Sequence, residues 1–331
     1  MLKIIEDGEI IANCQRQLVR SFKPFIGKKL KVRLGHPGAS FPARVFWSEE
    51  LGIWIYSSKN AESRYWNAFG IIQAKNAFPL SITCEINFPC RGIDRRVGGA
   101  LAKDREGRIF VVHRGRIGGG KRGIGKSFFE EHYRGVWSLM EDGDTETPVA
   151  LIGPLKSPRF VRQVVQFIRK IDGIKRNVMV SSSQTEIFTE VTLHEEFLGT
   201  GPEALKRELG SQCDRDLIVL DLSKRLLDLG LRPGNDGKIE LFALDRAGRI
   251  SALFAVGTGL SSAEIHTGVA RLMLSGIDRT GNPALLLVLP GRPDPALAEQ
   301  LQRLNIAILT YEWRGDRAIF AGIDALLTAS R

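Results

Sequence analysis

Gly120–Ser127, GKRGIGKS, fits the pattern G-x-x-x-x-G-K-[ST] letter for letter. In a phosphate loop, backbone N–H groups cradle the nucleotide phosphates while the lysine adds charge. That geometry needs a buried strand ending just before the first glycine and a long helix opening at the Lys-Ser. Here the polar stretch HRGRIGG follows the apolar run instead, and seven residues separate Ser127 from Gly135, too few for the usual helix. The partner acid such a site requires could be sought at Asp221 in LIVLD, but that segment continues with helical spacing, which puts Asp221 on a helix face. Nucleotide hydrolysis is therefore not expected.

The same residues suit another chemistry. Between His113 and Lys126 there are six glycines and five Lys/Arg: Arg114, Arg116, Lys121, Arg122 and Lys126. Glycine lets backbone N–H groups come close to phosphate oxygens, and the side chains supply charge. With Arg91, Arg95, Arg96 and Arg134, residues 91–135 hold 12 Lys/Arg against 5 Asp/Glu, a local excess of seven. The expected partner is a polyanion, with Arg91, Arg95, Arg96, His113, Arg114, Arg116, Lys121, Arg122, Lys126 and Arg134 as contacts; a solvated basic face is the bland alternative. Phosphate contacts set register and do not read sequence. Tyr65, Trp66, Phe128, Phe129, Tyr133 and Trp137 are either core residues or stacking platforms for bases.

The whole chain carries +10 over 331 residues. Residues 211–331 balance at 14 Lys/Arg and 14 Asp/Glu, so all of that excess lies earlier. Composition is globular, with no repeat period and no apolar run near membrane-spanning length. MLKIIEDGEI carries acids and lacks an apolar core, so a signal peptide is not expected and the location should be cytoplasmic. Cys14, Cys84, Cys90 and Cys213 are scattered without C-x-x-C, which reads as reduced core thiols, and the five histidines form no metal-binding spacing.

Residues 1–22 have helical apolar spacing up to Pro24 and Gly27. From Leu30 the pattern alternates in LKVRLG, ARVFWS and GIWIYSS, with SITCEINFP and GRIFVVHRGRI as further strands. SPRFVRQVVQFIRKI is a helix capped by Ser157 with Pro158 in its first turn. Residues 1–176 thus read as an α+β, β-rich domain, and 177–210 as a connector with a short helix at Pro202–Leu209. Residues 211–331 alternate as helix, hairpin, helix, strand, helix, strand. That is an α/β domain with a mixed central sheet.

Two resemblances add to this. Residues 28–176, with EINFPCRGIDRRVGG and HRGRIGGGKRGIGKS at their centre, resemble an N-terminal module of bacterial restriction-type and other defence proteins. That implies binding of double-stranded DNA, in company with a nuclease or another defence-system subunit. The C-terminal domain resembles the restriction-endonuclease-like PD-(D/E)XK fold, whose hairpin carries an acid on one strand and E-x-K on the next. The resemblance places Glu240 at the first acid, and the E-x-K position reads Ala255-Val256-Gly257. Without the second carboxylate and the lysine, the implied domain is a pseudo-nuclease kept as a scaffold or partner-binding unit, with no cofactor. The alternative is an active Mg²⁺-dependent endonuclease in which Glu264 and Arg271 have replaced the missing groups. A third class, an RNA-binding or assembly protein with an unspecific basic patch, stays open, as does a homodimer.

Overall fold

The computed structural model describes residues 1–36, 39–60, 64–71, 79–117, 125–181, 209–236, 239–277, 279 and 281–329. It divides into two compact units, 1–185 and 186–331. No helix among the described residues is long and apolar enough to cross a membrane.

The N-terminal unit is β-rich. Its elements are β1 (Leu2–Ile4), α1 (Gly8–Phe22), β2 (Lys28–His36), β3 (Ala39–Ser48), β4 (Ile53–Asn60), β5 (Arg64–Gly70), β6 (Pro79–Leu80), β7 (Cys84–Glu85), β8 (Phe88–Pro89), β9 (Gly99–Lys103), β10 (Ile109–His113), α2 (Lys126–His132), β11 (Trp137–Asp142), β12 (Thr145–Pro154) and α3 (Phe160–Ser181). Strands β1-β11-β12-β10-β9 close a barrel, and β6-β2-β3-β4-β5-β7 form a sheet, with β8 paired to β5.

The single helix expected over residues 1–22 is wrong at its start. Leu2 and Ile4 alternate with exposed Lys3 and pair with β9 and β11 as a barrel strand. Asp7 then caps α1 by accepting from the Ile10 N–H at 2.9 Å. Ile11, Cys14, Leu18 and Phe22 bury one helix face at i, i+3, i+4 spacing. On α3 the Ser157 Oγ accepts from Arg159 N–H, and Phe160, Val164, Phe167, Ile168 and Ile171 enter the same core as α1, β4, β5 and the barrel. SITCEINFP makes only the short ladders β7 and β8. The hairpin of β11 and β12, turning at Gly143 (φ +71°), was not foreseen.

The C-terminal unit contains α4 (Leu209–Gln212), α5 (Arg215–Asp228), β13 (Arg232–Gly234), β14 (Leu241–Leu244), β15 (Ile250–Val256), α6 (Ser262–Ile277), β16 (Ala284–Leu289), α7 (Pro295–Arg303), β17 (Ile306–Arg314), β18 (Arg317–Phe320) and α8 (Ile323–Ala329). The six strands lie in sequence order as one open mixed sheet. Strands β13, β14 and β15 are antiparallel, β15, β16 and β17 parallel, and β18 antiparallel to β17. Ile218, Leu222 and Leu226 of α5 cover one face, against Leu241, Phe254 and Val288. Ile265 and Leu272 of α6 and Leu301 of α7 cover the other, against Leu253, Ala255 and Leu287. Each fully buried aliphatic chain is worth about 1.5–3 kcal/mol, so the three from α5 alone anchor that helix. Asp221 is on a helix face as expected, where it accepts from Ala318 N–H of β18 at 2.9 Å. The connector helix expected at Pro202–Leu209 lies outside the described residues, except for Leu209, which opens α4.

Candidate functional site

The structure sorts the ten expected polyanion contacts into four groups. His113 and Arg114 are internal, 0% and 4% exposed. The His113 ring faces the Glu85 carbonyl through Nε2 at 3.1 Å and accepts from Gly115 N–H through Nδ1 at 3.0 Å. Burial pushes its pKa down to about 4, so it carries no charge near neutral pH. Arg114 makes a bidentate pair with Asp142, at 3.0 and 2.9 Å, and reaches the Val97 and Gly99 carbonyls. Both side chains are internal to the N-terminal unit, His113 against Phe129 and Phe167, rather than surface contacts. A sequence cannot separate a buried arginine from an exposed one when its partner lies 28 residues away.

Lys121 and Arg122 lie outside the described residues. Arg96 and Lys126 are exposed but paired locally, with Asp94 at 3.1 Å and Glu130 at 3.4 Å. The hydrogen bond from Arg96 holds the Asp94 carboxyl below its ordinary pKa. The remaining four, Arg91, Arg95, Arg116 and Arg134, are exposed on the N-terminal unit. Arg95 shares Asp142 with Arg114, so one buried carboxylate faces two guanidinium groups and a positive charge is left on the half-exposed Arg95.

At the glycine-rich stretch, β10 ends at His113 and Gly115 turns the chain at φ +82°, where a Cβ would strike the Phe129 ring. The helix that opens at Lys126 has seven residues. The context that a phosphate loop needs is therefore missing on the described side of the motif. Phe129 and Tyr133 are buried and stacked at 4.6 Å between ring centroids, which makes them core. Phe128 and Trp137 are partly buried against the same core. Trp66 packs with Phe41 and Tyr56, and Tyr65 is half-buried.

In the C-terminal unit, Glu240, Glu264 and Arg271 do come together, around a residue the sequence did not single out, Arg215. Glu240 immediately precedes β14 and lies across from the end of β15. Its Oε2 accepts from Val256 N–H at 2.8 Å, and its Oε1 meets Arg215 Nη1 at 3.2 Å and Arg271 Nη1 at 2.6 Å. Glu264, in the first turn of α6, accepts from Thr258 N–H at 2.6 Å and Thr258 Oγ1 at 3.0 Å. Its Oε1 also lies 3.5 Å from Arg215 Nη2. Arg215, Glu240 and Glu264 are all buried, and the formal charges of the four groups cancel. The cluster ties α5, β14, β15 and α6 together at the C-terminal end of β15. Ligand crevices of open α/β sheets form at that kind of edge.

The residues at the expected E-x-K position are packing residues. Ala255 is 1% exposed in the core between the sheet and α6. A Cβ on Gly257 would come within 2.8 Å of Leu289. Asp245 is in the β14–β15 turn, held below its ordinary pKa by the Arg249 backbone N–H. Among the described residues no three His, Cys, Asp or Glu side chains converge as a metal site. The two carboxylates that do approach each other already share a guanidinium, so this donor set does not fit a divalent cation. The chain matches no family model, no curated protein and no solved structure.

Proposed function

We propose that the protein binds double-stranded DNA through its N-terminal unit and carries a C-terminal unit of restriction-endonuclease-like descent that no longer cuts. In this reading the second unit serves as a scaffold or docks another subunit of a bacterial defence system. The observation that carries it is the cluster of buried Arg215, Glu240 and Glu264 with half-buried Arg271. A divalent cation depends on anionic ligands fixed close together, because it gives up its hydration reluctantly. Here two guanidinium groups stand against those carboxylates. The feature the resemblance rests on is the β14–β15 hairpin, with Glu240 just before its first strand. DNA binding rests on the four exposed arginines, Arg91, Arg95, Arg116 and Arg134, together with the basic excess of residues 91–135.

The second reading, a Mg²⁺-dependent endonuclease with a displaced site, requires Glu240 and Glu264 to exchange their guanidinium partners for the ion. Incubating the purified protein with duplex DNA and Mg²⁺ or Mn²⁺ separates the two. The pseudo-nuclease reading expects binding without cleavage. Metal-dependent cleavage that Glu240→Ala or Glu264→Ala abolishes would establish the displaced site. For binding, replacing Arg91, Arg95, Arg116 and Arg134 with glutamine should flatten the salt dependence of affinity by about 0.9 log unit per lost phosphate contact. An unchanged slope in the folded variant would refute the assignment of this surface.

A further inference from the structure

Strands β2 and β3 carry a second basic surface that the reading above does not use. They pair residue for residue from Lys28↔Trp47 to His36↔Ala39. Between Lys28 and Ser48 the chain has five Lys/Arg and no Asp or Glu. The register decides where these cations go. Lys29 and Lys31 stand opposite Phe46 and Arg44, and Phe46 pairs onward with Ile55 of β4. Side chains alternate along a strand, so Lys29, Lys31, Arg33, Arg44 and, four residues along β4 from Ile55, Lys59 share one face. All five are exposed. The Lys29 ammonium lies 5.6 Å from the Phe46 ring centre and that of Lys59 lies 6.0 Å from the Tyr65 ring centre, each over its cross-strand neighbour.

This is the face that α1 covers at its other end. Ile55 and Phe69 join the core with Leu18 and Phe22. The boundary is polar and buried: Gln15 of α1 donates to Ser57 Oγ at 3.0 Å and to Asn67 Oδ1 at 2.8 Å, while Asn67 donates back to Gln15. Beyond that boundary the face is cationic. Folding of the two strands does not call for a like-charge pair here. Like charges directly opposite each other on a sheet are destabilising, by a few tenths to about 1 kcal/mol, and Lys31↔Arg44 is such a pair. Lysine on β2 could protect a largely open edge from pairing with another chain. Arg44 also lies past the β3–β4 ladder, which ends at Phe46↔Ile55, but protecting an edge does not call for two like charges standing directly cross-strand.

We propose that the face formed by Lys29, Lys31, Arg33, Arg44 and Lys59 is a second docking surface for the phosphate backbone of double-stranded DNA. The inference rests on the duplex-binding reading but not on the residues 91–135 that carry it. Side-chain ammonium and guanidinium groups on a two-stranded ribbon follow a phosphate track without reading bases. A bound backbone also supplies the counter-charge that the Lys31↔Arg44 pair lacks within its two strands.

The test compares the parent, a face variant (Lys31→Gln, Arg44→Gln, Lys59→Gln) and the four-arginine variant described above. Each is titrated against a labelled random-sequence duplex over a range of potassium chloride. The face variant should lose affinity at every salt concentration, and the log–log slope should fall by up to about 2.7, at about 0.9 per lost contact. Its thermal unfolding should be unchanged or shifted slightly upward, since a repulsive pair has been removed. Parental affinity and slope in the face variant overturn this inference, and so does a thermal transition lowered enough to make the three cations structural. If only the four-arginine variant weakens, the duplex-binding reading stands and the second surface does not. If only the face variant weakens, the second surface stands and the 91–135 assignment fails. Tighter binding of single-stranded DNA or RNA than of the duplex overturns the choice of partner.

Discussion

Replacing Arg215 with methionine tests whether the buried cluster braces the C-terminal unit. Methionine keeps most of the length and the apolar stem of arginine but removes the guanidinium, leaving Glu240 on Arg271 and Glu264 without its Arg215 partner, so the four positions carry a net charge of −1. Two ion pairs are lost, at N–O distances of 3.2 and 3.5 Å. At an effective dielectric constant of about 20, each unit-charge pair near 4 Å is worth about 4 kcal/mol before desolvation. Relief of the arginine's own desolvation offsets part of that sum, and breaking a buried pair from one side typically costs about 3–5 kcal/mol net. With an unfolding slope of about 2 kcal/mol per molar urea, the midpoint should fall by about 2 M. Trp313 is the one tryptophan after residue 186, so a fluorotryptophan label read by fluorine NMR follows this unit separately from the four tryptophans before it. A variant within about 0.5 kcal/mol of the parent, the range of an ordinary surface change, would refute the reasoning.

Two further predictions follow from the N-terminal unit. His113 has a pKa of about 4 in the fold, because burial disfavours its charge, against about 6.5 when unfolded. The unfolded chain therefore takes up a proton first as pH falls: stability is complete above about 6.5 and declines by about 3 kcal/mol as pH drops toward 4. His113→Gln should flatten the pH dependence of the urea midpoint across that window, and an unchanged slope would exclude this origin. Lys126 is engaged with Glu130 at the start of a seven-residue helix, so nucleoside triphosphate turnover should stay at background in the parent and in Lys126→Ala. Turnover by the parent that Lys126→Ala removes would restore the phosphate-loop reading.

Periodicity alone determined much of this protein. The apolar spacing of RDLIVLDLSKRLLD and the alternation of LKVRLG and ARVFWS each fit one local geometry, and the structure contains α5, β2 and β3 there. The charge imbalance was also legible, because counting needs no coordinates. Tertiary structure decided what each charge does. Leu2–Ile4 is a strand only because β9 and β11 lie on either side of it, and three residues are too few to carry a period. Arg114 looked like its basic neighbours until the barrel enclosed it with Asp142. Arg215 lies 25 residues from Glu240 and 49 from Glu264, and no local pattern marks it. Burial and ion pairing are properties of distant segments brought together. The sequence therefore set the long periodic elements and the total charge, and only the packed chain decided the short strands, which cations are spent on internal carboxylates and which face solvent.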